Sequence, residues 1–287
     1  MNREIREAFF FILPLGIFVL LLMLLPVTGS LWISLWQDVS FLPRKFAGLG
    51  NYIRLFKDSQ LWRSVGFTLA FSFASVSLEM IAGTIIALVL NESFRFRGIM
   101  RGTALLPWAI PSVIGARIWQ LIYRYDYGLA NYVLRGTSGL SVNWLGSSGG
   151  AFLSLVLADS WRTTPFVAII LLAGLQSVPE SLYEQAKIDG ANLFQRFFKV
   201  TLPVIKPVVI VALIFRTIDA LRVFDIIYVI TGGGPGGFTT SISLYSYKYF
   251  LLGDFGYGST VSIFLFIIAF TIVILYIRAG RFREAAL

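Results

Sequence analysis

Apolar residues run along this chain in long unbroken blocks rather than in the period-two alternation of a membrane barrel. Six blocks reach the ~20 residues that a helix needs to cross the hydrocarbon core of a bilayer. They lie at about 9–36, 64–90, 103–123, 151–175, 204–230 and 257–277. Backbone amides in hydrocarbon must be satisfied within their own segment, so each block predicts a helix. The expected fold is an all-α polytopic domain of six transmembrane helices covering 1–287. One stretch breaks the pattern. Between the fourth and fifth blocks, YEQAKIDGANLFQRFFKVTLPVIKP places Glu184, Lys187, Asp189, Arg196, Lys199 and Lys206 in a single window. Over about 177–203 it predicts a helix, a glycine bend and a second helix. Ser177 and Glu180 have capping-box spacing, with Pro179 near the first turn. Leu182, Tyr183, Ala186 and Lys187 follow, and Gly190 is suited to a left-handed cap. Leu193, Phe194, Phe197 and Phe198 recur at helical spacing until Pro203, which predicts a stop.

Composition agrees with the pattern: 57% of residues are hydrophobic and 14% charged. The formal charge of +9 would suit nucleic acid only if the basic residues clustered on one face. They are scattered between blocks, which points to membrane topology and to no nucleic-acid partner. With an even number of spans, both termini share a side. If that side is the cytoplasm, its segments hold 12 Lys and Arg: Arg3, Arg6, Arg95, Arg97, Arg101, Lys187, Arg196, Lys199, Lys206, Arg278, Arg281 and Arg283. The outer segments hold 7: Arg44, Lys45, Arg54, Lys57, Arg124, Arg135 and Lys248. The positive-inside rule therefore favours cytoplasmic termini and a cytoplasmic elbow. The opening run outlasts a signal-peptide core and has no small-residue cleavage site, so it reads as an uncleaved span.

The absence of Cys and His excludes disulfides, Cys/His metal sites, thiol nucleophiles and imidazole bases. No catalytic residue and no metal ligand is assigned. GGGPGG at 232–237 follows an apolar block and lacks the Gly-Lys-Ser/Thr of a phosphate-binding loop, and no such loop occurs elsewhere. The chain is thus expected not to hydrolyse ATP itself.

Charges inside the blocks stand out, since each costs roughly 2.5–3.5 kcal/mol near mid-bilayer. The fifth block carries Arg216, Asp219, Arg222 and Asp225 three residues apart, so alternating signs can pair along the helix. The fourth adds Asp159 and Arg162; Glu79 and Arg117 mark the second and third. Two readings of these charges are open. They neutralise one another and fix helix packing, or they line a watery path and bond to substrate hydroxyls, with Trp161, Phe224 or Tyr228 stacking on an apolar face. Trp32, Trp36, Trp62 and Tyr123 near block ends read as interfacial belts. The elbow also has two readings, an interfacial hairpin with snorkelling cations or a lever that docks on another protein.

E-Q-A-K-I-D-G-A, followed by L-P at 202–203 and Pro207, resembles the "EAA" signature of permease subunits in binding-protein-dependent ABC importers, with Gln185 in place of the second-position Ala. FRTIDALRVFDIIYVITGGGP and SWRTTPFVAIILLAGLQSVPE are similar to the corresponding runs of trehalose and maltose permeases. The resemblance implies that Glu184, Ala186, Asp189, Gly190, Leu202 and Pro203 couple the chain to an ATPase. It implies a substrate path drawn from Asp159, Trp161, Arg162, Asp219, Arg222, Phe224, Asp225 and Tyr228. It also implies partners: two ATPase subunits that hold ATP and Mg, a second homologous permease, an extracytoplasmic sugar-binding protein and membrane lipid. The chain itself holds no cofactor on this reading. An ABC permease for glycerol phosphate or polyamines, and a stand-alone secondary transporter, are the alternatives.

Overall fold

The computed structural model describes residues 3–281. Helix α1 (Arg3–Val19) passes through a π turn at Leu20–Leu24 into α2 (Leu25–Ser34), and strands β1 (Trp36–Gln37) and β2 (Lys45–Phe46) pair antiparallel. There follow α3 (Gly50–Lys57), α4 (Ser59–Asn91), α5 (Arg97–Ala109), α6 (Ser112–Ile122), α7 (Leu129–Ser138) and α8 (Ser148–Leu175). The elbow comprises α9 (Glu180–Ile188), α10 (Leu193–Arg196) and a π turn at Phe197–Thr201 that leads into α11 (Leu202–Leu221). Then come α12 (Asp225–Ile230), α13 (Ile242–Leu251) and α14 (Phe255–Arg281). Among the described residues, Phe10–Ser34, Ser59–Asn91, Ser148–Leu175, Leu193–Leu221 and Phe255–Ala279 are long and apolar enough to cross a membrane. The third expected span is a pair, α5 and α6, bent by 88°, and makes a sixth crossing only if the pair counts as one. Pro111 explains the bend, because the residue before a proline is driven out of helical conformation and Ile110 is extended, at ψ 129°.

The chain divides into two compact units. One takes in the residues up to Trp62 and Tyr245–Ile267. Within it, the buried Asn51 amide donates to the carbonyls of Ser34 and Trp36, each at 2.9 Å, which ties α3 to the end of α2. Asp58 accepts from the Tyr245 and Tyr257 hydroxyls, both at 2.6 Å. Burial works to raise the Asp58 pKa, but these two phenols and the amides of Leu61 and Gln60 outweigh it and hold the carboxyl below its ordinary value. Burial, then the bond to Asp58, pushes the Tyr245 phenol up. Arg54 pairs with Asp254 at 2.9 Å and lies 4.0 Å from the Tyr257 ring centre.

The second unit is Arg63–Leu244 with the chain from Ile268 onward. Its core joins Ala87 and Leu90 of α4, Val167, Leu171 and Leu175 of α8, and Ile205 and Ala212 of α11. Gly83 makes the approach of α4 to α8 feasible, since a Cβ there would stand 2.7 Å from a Val167 methyl. Small residues at such crossings let backbones come close where lipid gives no hydrophobic drive.

Several local expectations need correction. Ser177 caps nothing: its hydroxyl donates back to the Gly174 carbonyl at 2.7 Å, and α9 begins at Glu180 with no side-chain cap. Pro203 does not stop the second helix. The π turn at Phe197–Thr201 widens the spiral just ahead of the ring, and the helix continues as α11. The fifth span ends sooner than 230, because Arg222 caps α11 and Phe224 leaves the helical region before α12 begins. Tyr123 is no interfacial anchor. It is buried between the rings of Trp119 and Trp144, at centroid distances of 5.3 and 5.8 Å. Trp32 and Trp62 are exposed. Of the cations used to assign topology, Arg283 and the side chains of Arg3, Arg6 and Arg281 lie outside the described residues.

Candidate functional site

Two polar constructions of the second unit bear on function. The first is the elbow. Its bend is a Schellman motif: the Ala191 amide donates to the Ala186 carbonyl at 2.9 Å and the Gly190 amide to Lys187 at 3.1 Å. Gly190 takes φ +73°, with no atom near the space a side chain would fill. Directly after it, Asn192 and Gln195 form a reciprocal capping box that starts the next helix. Tyr183 bonds to Thr201 at 3.0 Å, bracing α9 against the π turn. The outer face shows Glu184, Lys187, Ile188, Asp189 and Phe194. Ala186 and Leu202 are half-buried, while Pro203 is exposed. Of the six residues expected to couple, Glu184, Ala186, Asp189 and Gly190 share this short segment; Leu202 and Pro203 begin α11. Glu184 also lines a cavity of about 1040 Å³ between α4, α9 and the π turn. Ile188, 85% exposed, was not singled out from the sequence, although an isoleucine beside the glycine of a polar helix was a usable signal.

The second construction is a buried charge cluster. Arg216 is only 2% exposed. Its Nε and Nη2 fork onto Glu79, the Nη2 bond measuring 2.8 Å; Nη2 also reaches Asp159 at 3.3 Å, and Nη1 reaches Asp219 at 2.5 Å. Glu79 is wholly buried and takes hydroxyl bonds from Ser75 at 2.8 Å and Thr163 at 2.7 Å. Three helices, α4, α8 and α11, thus meet at one guanidinium. The cluster continues outward as Arg222 donates to Asp219 at 3.1 Å and Arg162 lies 3.8 Å from Asp159. The expected stripe of alternating charges stops there. Since α11 ends at Arg222, Asp225 starts a new helix and instead accepts from Ser112 at 2.5 Å. Among the described residues Arg117 joins no carboxylate; it donates to Gln120 at 2.7 Å.

A cavity of about 250 Å³ opens beside the cluster, lined by Ser112, Asp159, Arg162, Asp219, Arg222, Phe224 and Asp225 among others. Six of the eight residues expected on a substrate path therefore surround one space. Trp161 and Tyr228 are not on its wall. Trp161 meets Trp119 edge-on at 5.8 Å, and Tyr228 lies nearly parallel to Phe224 at 5.4 Å. Glu79 and Arg216 were visible as charges in the sequence but were not placed on the path. Ser112 gave no signal beyond its position after Pro111. On the cavity wall three carboxylates (Asp159, Asp219, Asp225) face two guanidiniums (Arg162, Arg222), one net negative charge. Among the described residues, no cluster of carboxylates could hold a metal ion.

A helical membrane domain with a polar cavity between its spans and a braced elbow joining two of them is the form of a transport permease. Residues 79–282 match the family model described as "Binding-protein-dependent transport system inner membrane component", and the chain belongs to that family of multi-pass ABC importer permeases. The match takes in both Glu79 and the elbow. The chain is 54% identical, over 98% of its length and 96% of the other's, to the trehalose/maltose transport system permease protein MalF of Thermococcus litoralis. It is 35% identical to the trehalose transport system permease protein SugA of Mycobacterium tuberculosis, covering 96% and 89% of the two chains. Among solved structures it is similar to a bacterial ABC transporter involved in the import of the acidic polysaccharide alginate, with a TM-score of 0.83, 25% identity and coverage of 97% and 96%. A second structure of the alginate transporter, in complex with an alginate pentasaccharide-bound periplasmic protein, aligns with a TM-score of 0.82, 25% identity and coverage of 96% and 93%.

Proposed function

We propose that this chain is one permease subunit of an ATP-driven importer for a disaccharide of the trehalose/maltose class, acting as a single transmembrane domain with both termini in the cytoplasm. The observation that carries the sugar assignment is the 54% identity, along nearly the whole of both chains, to a trehalose/maltose permease. The cavity suits that substrate class. Carboxylate acceptors and guanidinium donors in near balance offer paired hydrogen bonds to vicinal hydroxyls, with Phe224 beside them for the apolar face of a ring. One net negative charge around the cavity does not favour a phosphorylated substrate. At about 250 Å³ the cavity is smaller than the roughly 300–1,000 Å³ of pockets that engulf a ligand. Its size fits one wall of a path completed by a second permease.

On this reading an extracytoplasmic sugar-binding protein delivers the sugar from outside. Two ATPase subunits, which hold ATP and Mg, drive the cycle, and this chain contributes no covalent chemistry. The elbow is the mechanical link: Glu184, Ala186, Asp189 and Gly190 sit in the ATPase cleft, and Leu202 and Pro203 pass displacement into α11. The test is to purify the chain with an ATPase, a second permease and a binding protein from its own system, then measure ATPase stimulation by binding protein loaded with different sugars. Stimulation by trehalose or maltose is expected. Stimulation only by a glycerol phosphate or a polyamine overturns the assignment. The chain has no cysteine, so single cysteines placed at Glu184 or Lys187 give unambiguous crosslinks, which are expected to join the ATPase.

A further inference from the structure

We propose that Arg216 is a positioning residue for sugar recognition: from inside the helix packing it fixes one oxygen of Asp219, so that the other oxygen is presented to the cavity as an acceptor for a substrate hydroxyl. The proposal rests on the sugar reading above. Asp219 is the one acidic side chain of the cluster that is both bound to the buried guanidinium and open, with its side chain 40% exposed. Its Oδ2 meets Arg216 Nη1 at 2.5 Å, whereas its Oδ1 has only the longer bonds from Arg222, 3.1 Å from Nη2 and 3.4 Å from Nε. The Arg222 side chain is 70% exposed, at the C-cap of α11. An ion pair so open to water contributes little, and a hydroxyl can replace it.

Arg216 cannot yield in the same way. Its planar fork is pinned on two sides by Glu79 and Asp159, and Glu79 is itself held by Ser75 and Thr163. A guanidinium offers its donors in a fixed plane, so the position of Nη1 sets the position of Asp219. The two readings left open by the sequence then apply to different residues. Glu79, Asp159 and Arg216 pack the helices; Asp219 is aimed by them at the substrate. A lysine at 216 keeps the charge but has no fork, so it can hold Glu79 or Asp219 but cannot span both in one plane.

The test uses the complete transporter in proteoliposomes, with its own binding protein and radiolabelled trehalose and maltose. Asp219→Asn is expected to lower maximal uptake about tenfold or more, while the amount of assembled complex and the KM for loaded binding protein stay near wild type. Arg216→Lys is expected to lose a similar factor. The double variant should match Asp219→Asn alone to within about twofold, because residues acting through one another are not additive. Losses that multiply in the double variant, or normal uptake by Asp219→Asn, overturn the positioning role. If Arg216→Lys fails to assemble, Asp219→Asn decides alone, slowed uptake in a fully assembled complex supporting the proposal and normal uptake overturning it. Wild-type transporter that takes up neither sugar overturns the sugar reading and this role with it, an outcome distinct from all the others.

Discussion

In the charge cluster a single arginine, closed off from water, reaches Glu79, Asp159 and Asp219 on three helices. In the elbow the charges of Glu184, Lys187 and Asp189 face outward, and the shape comes from backbone bonds at Gly190 and a local cap at Asn192. The cluster spends its polar groups on its own structure, so it holds distant segments in register. The elbow leaves Glu184, Lys187 and Asp189 exposed, so they are available to a partner, and its rigidity comes from turns and caps within itself. On the proposed function a permease needs both: a fixed wall for the substrate and a stiff handle for its ATPase.

Glu79→Ala probes the cluster most severely. It strips the bidentate acceptor from a buried guanidinium, and removal of one member of a buried pair costs about 3–5 kcal/mol. The expected result is a sharp fall in the melting temperature or yield of purified protein; a wild-type melt would mean that water relieves Arg216. Gly190→Asp probes the elbow. There is open space for the side chain, and aspartate tolerates a left-handed backbone, so the loss of stability is at most about 1–2 kcal/mol. Uptake, however, is expected to fall about tenfold or more as transport uncouples from ATP hydrolysis. Sugar-stimulated ATPase activity at the wild-type level, together with normal uptake, would remove the handle from the comparison. Arg222→Gln marks the border between the two uses of charge, because its exposed pair with Asp219 is worth about 0–1 kcal/mol. It should leave thermal stability nearly unchanged and shift uptake less than Asp219→Asn does. The smallest effect is expected at Asp58, in the other unit. Its carboxyl is held below the ordinary value by hydrogen bonds, so its contribution is present at neutral pH and fades only as pH falls from the ordinary carboxylate value through the depressed one. Asp58→Asn should lower stability modestly at neutral pH, leave it nearly unchanged in acid, and so flatten the acid limb of a stability–pH curve.

Much of this was legible in the sequence because it rests on local periodicity. The three-residue spacing of Arg216, Asp219 and Arg222 predicted their pairing, and Gly190 marked the bend. What was not legible depends on long-range contact. Glu79 and Arg216 are 137 residues apart, and nothing in either neighbourhood says that they meet. The continuation through Pro203 was misread for a different reason. A proline rule assumes an α-helical ladder, and a π turn changes the ladder before the rule applies. Tyr123 carried the composition of an interfacial anchor but is enclosed by Trp119 and Trp144, one of them contributed by a later loop.

At the right-angled corner between α5 and α6 the helical ladder is cut. Pro111 has no amide to offer, and those of Ser112, Val113 and Ile114 have no carbonyl one turn behind them. Oil supplies none either. A chain that folds this way at membrane depth cannot leave the corner bathed in fatty acyl tails. The surface there must look onto water or onto polypeptide, so the molecule carries a polar seam that lipid cannot cover.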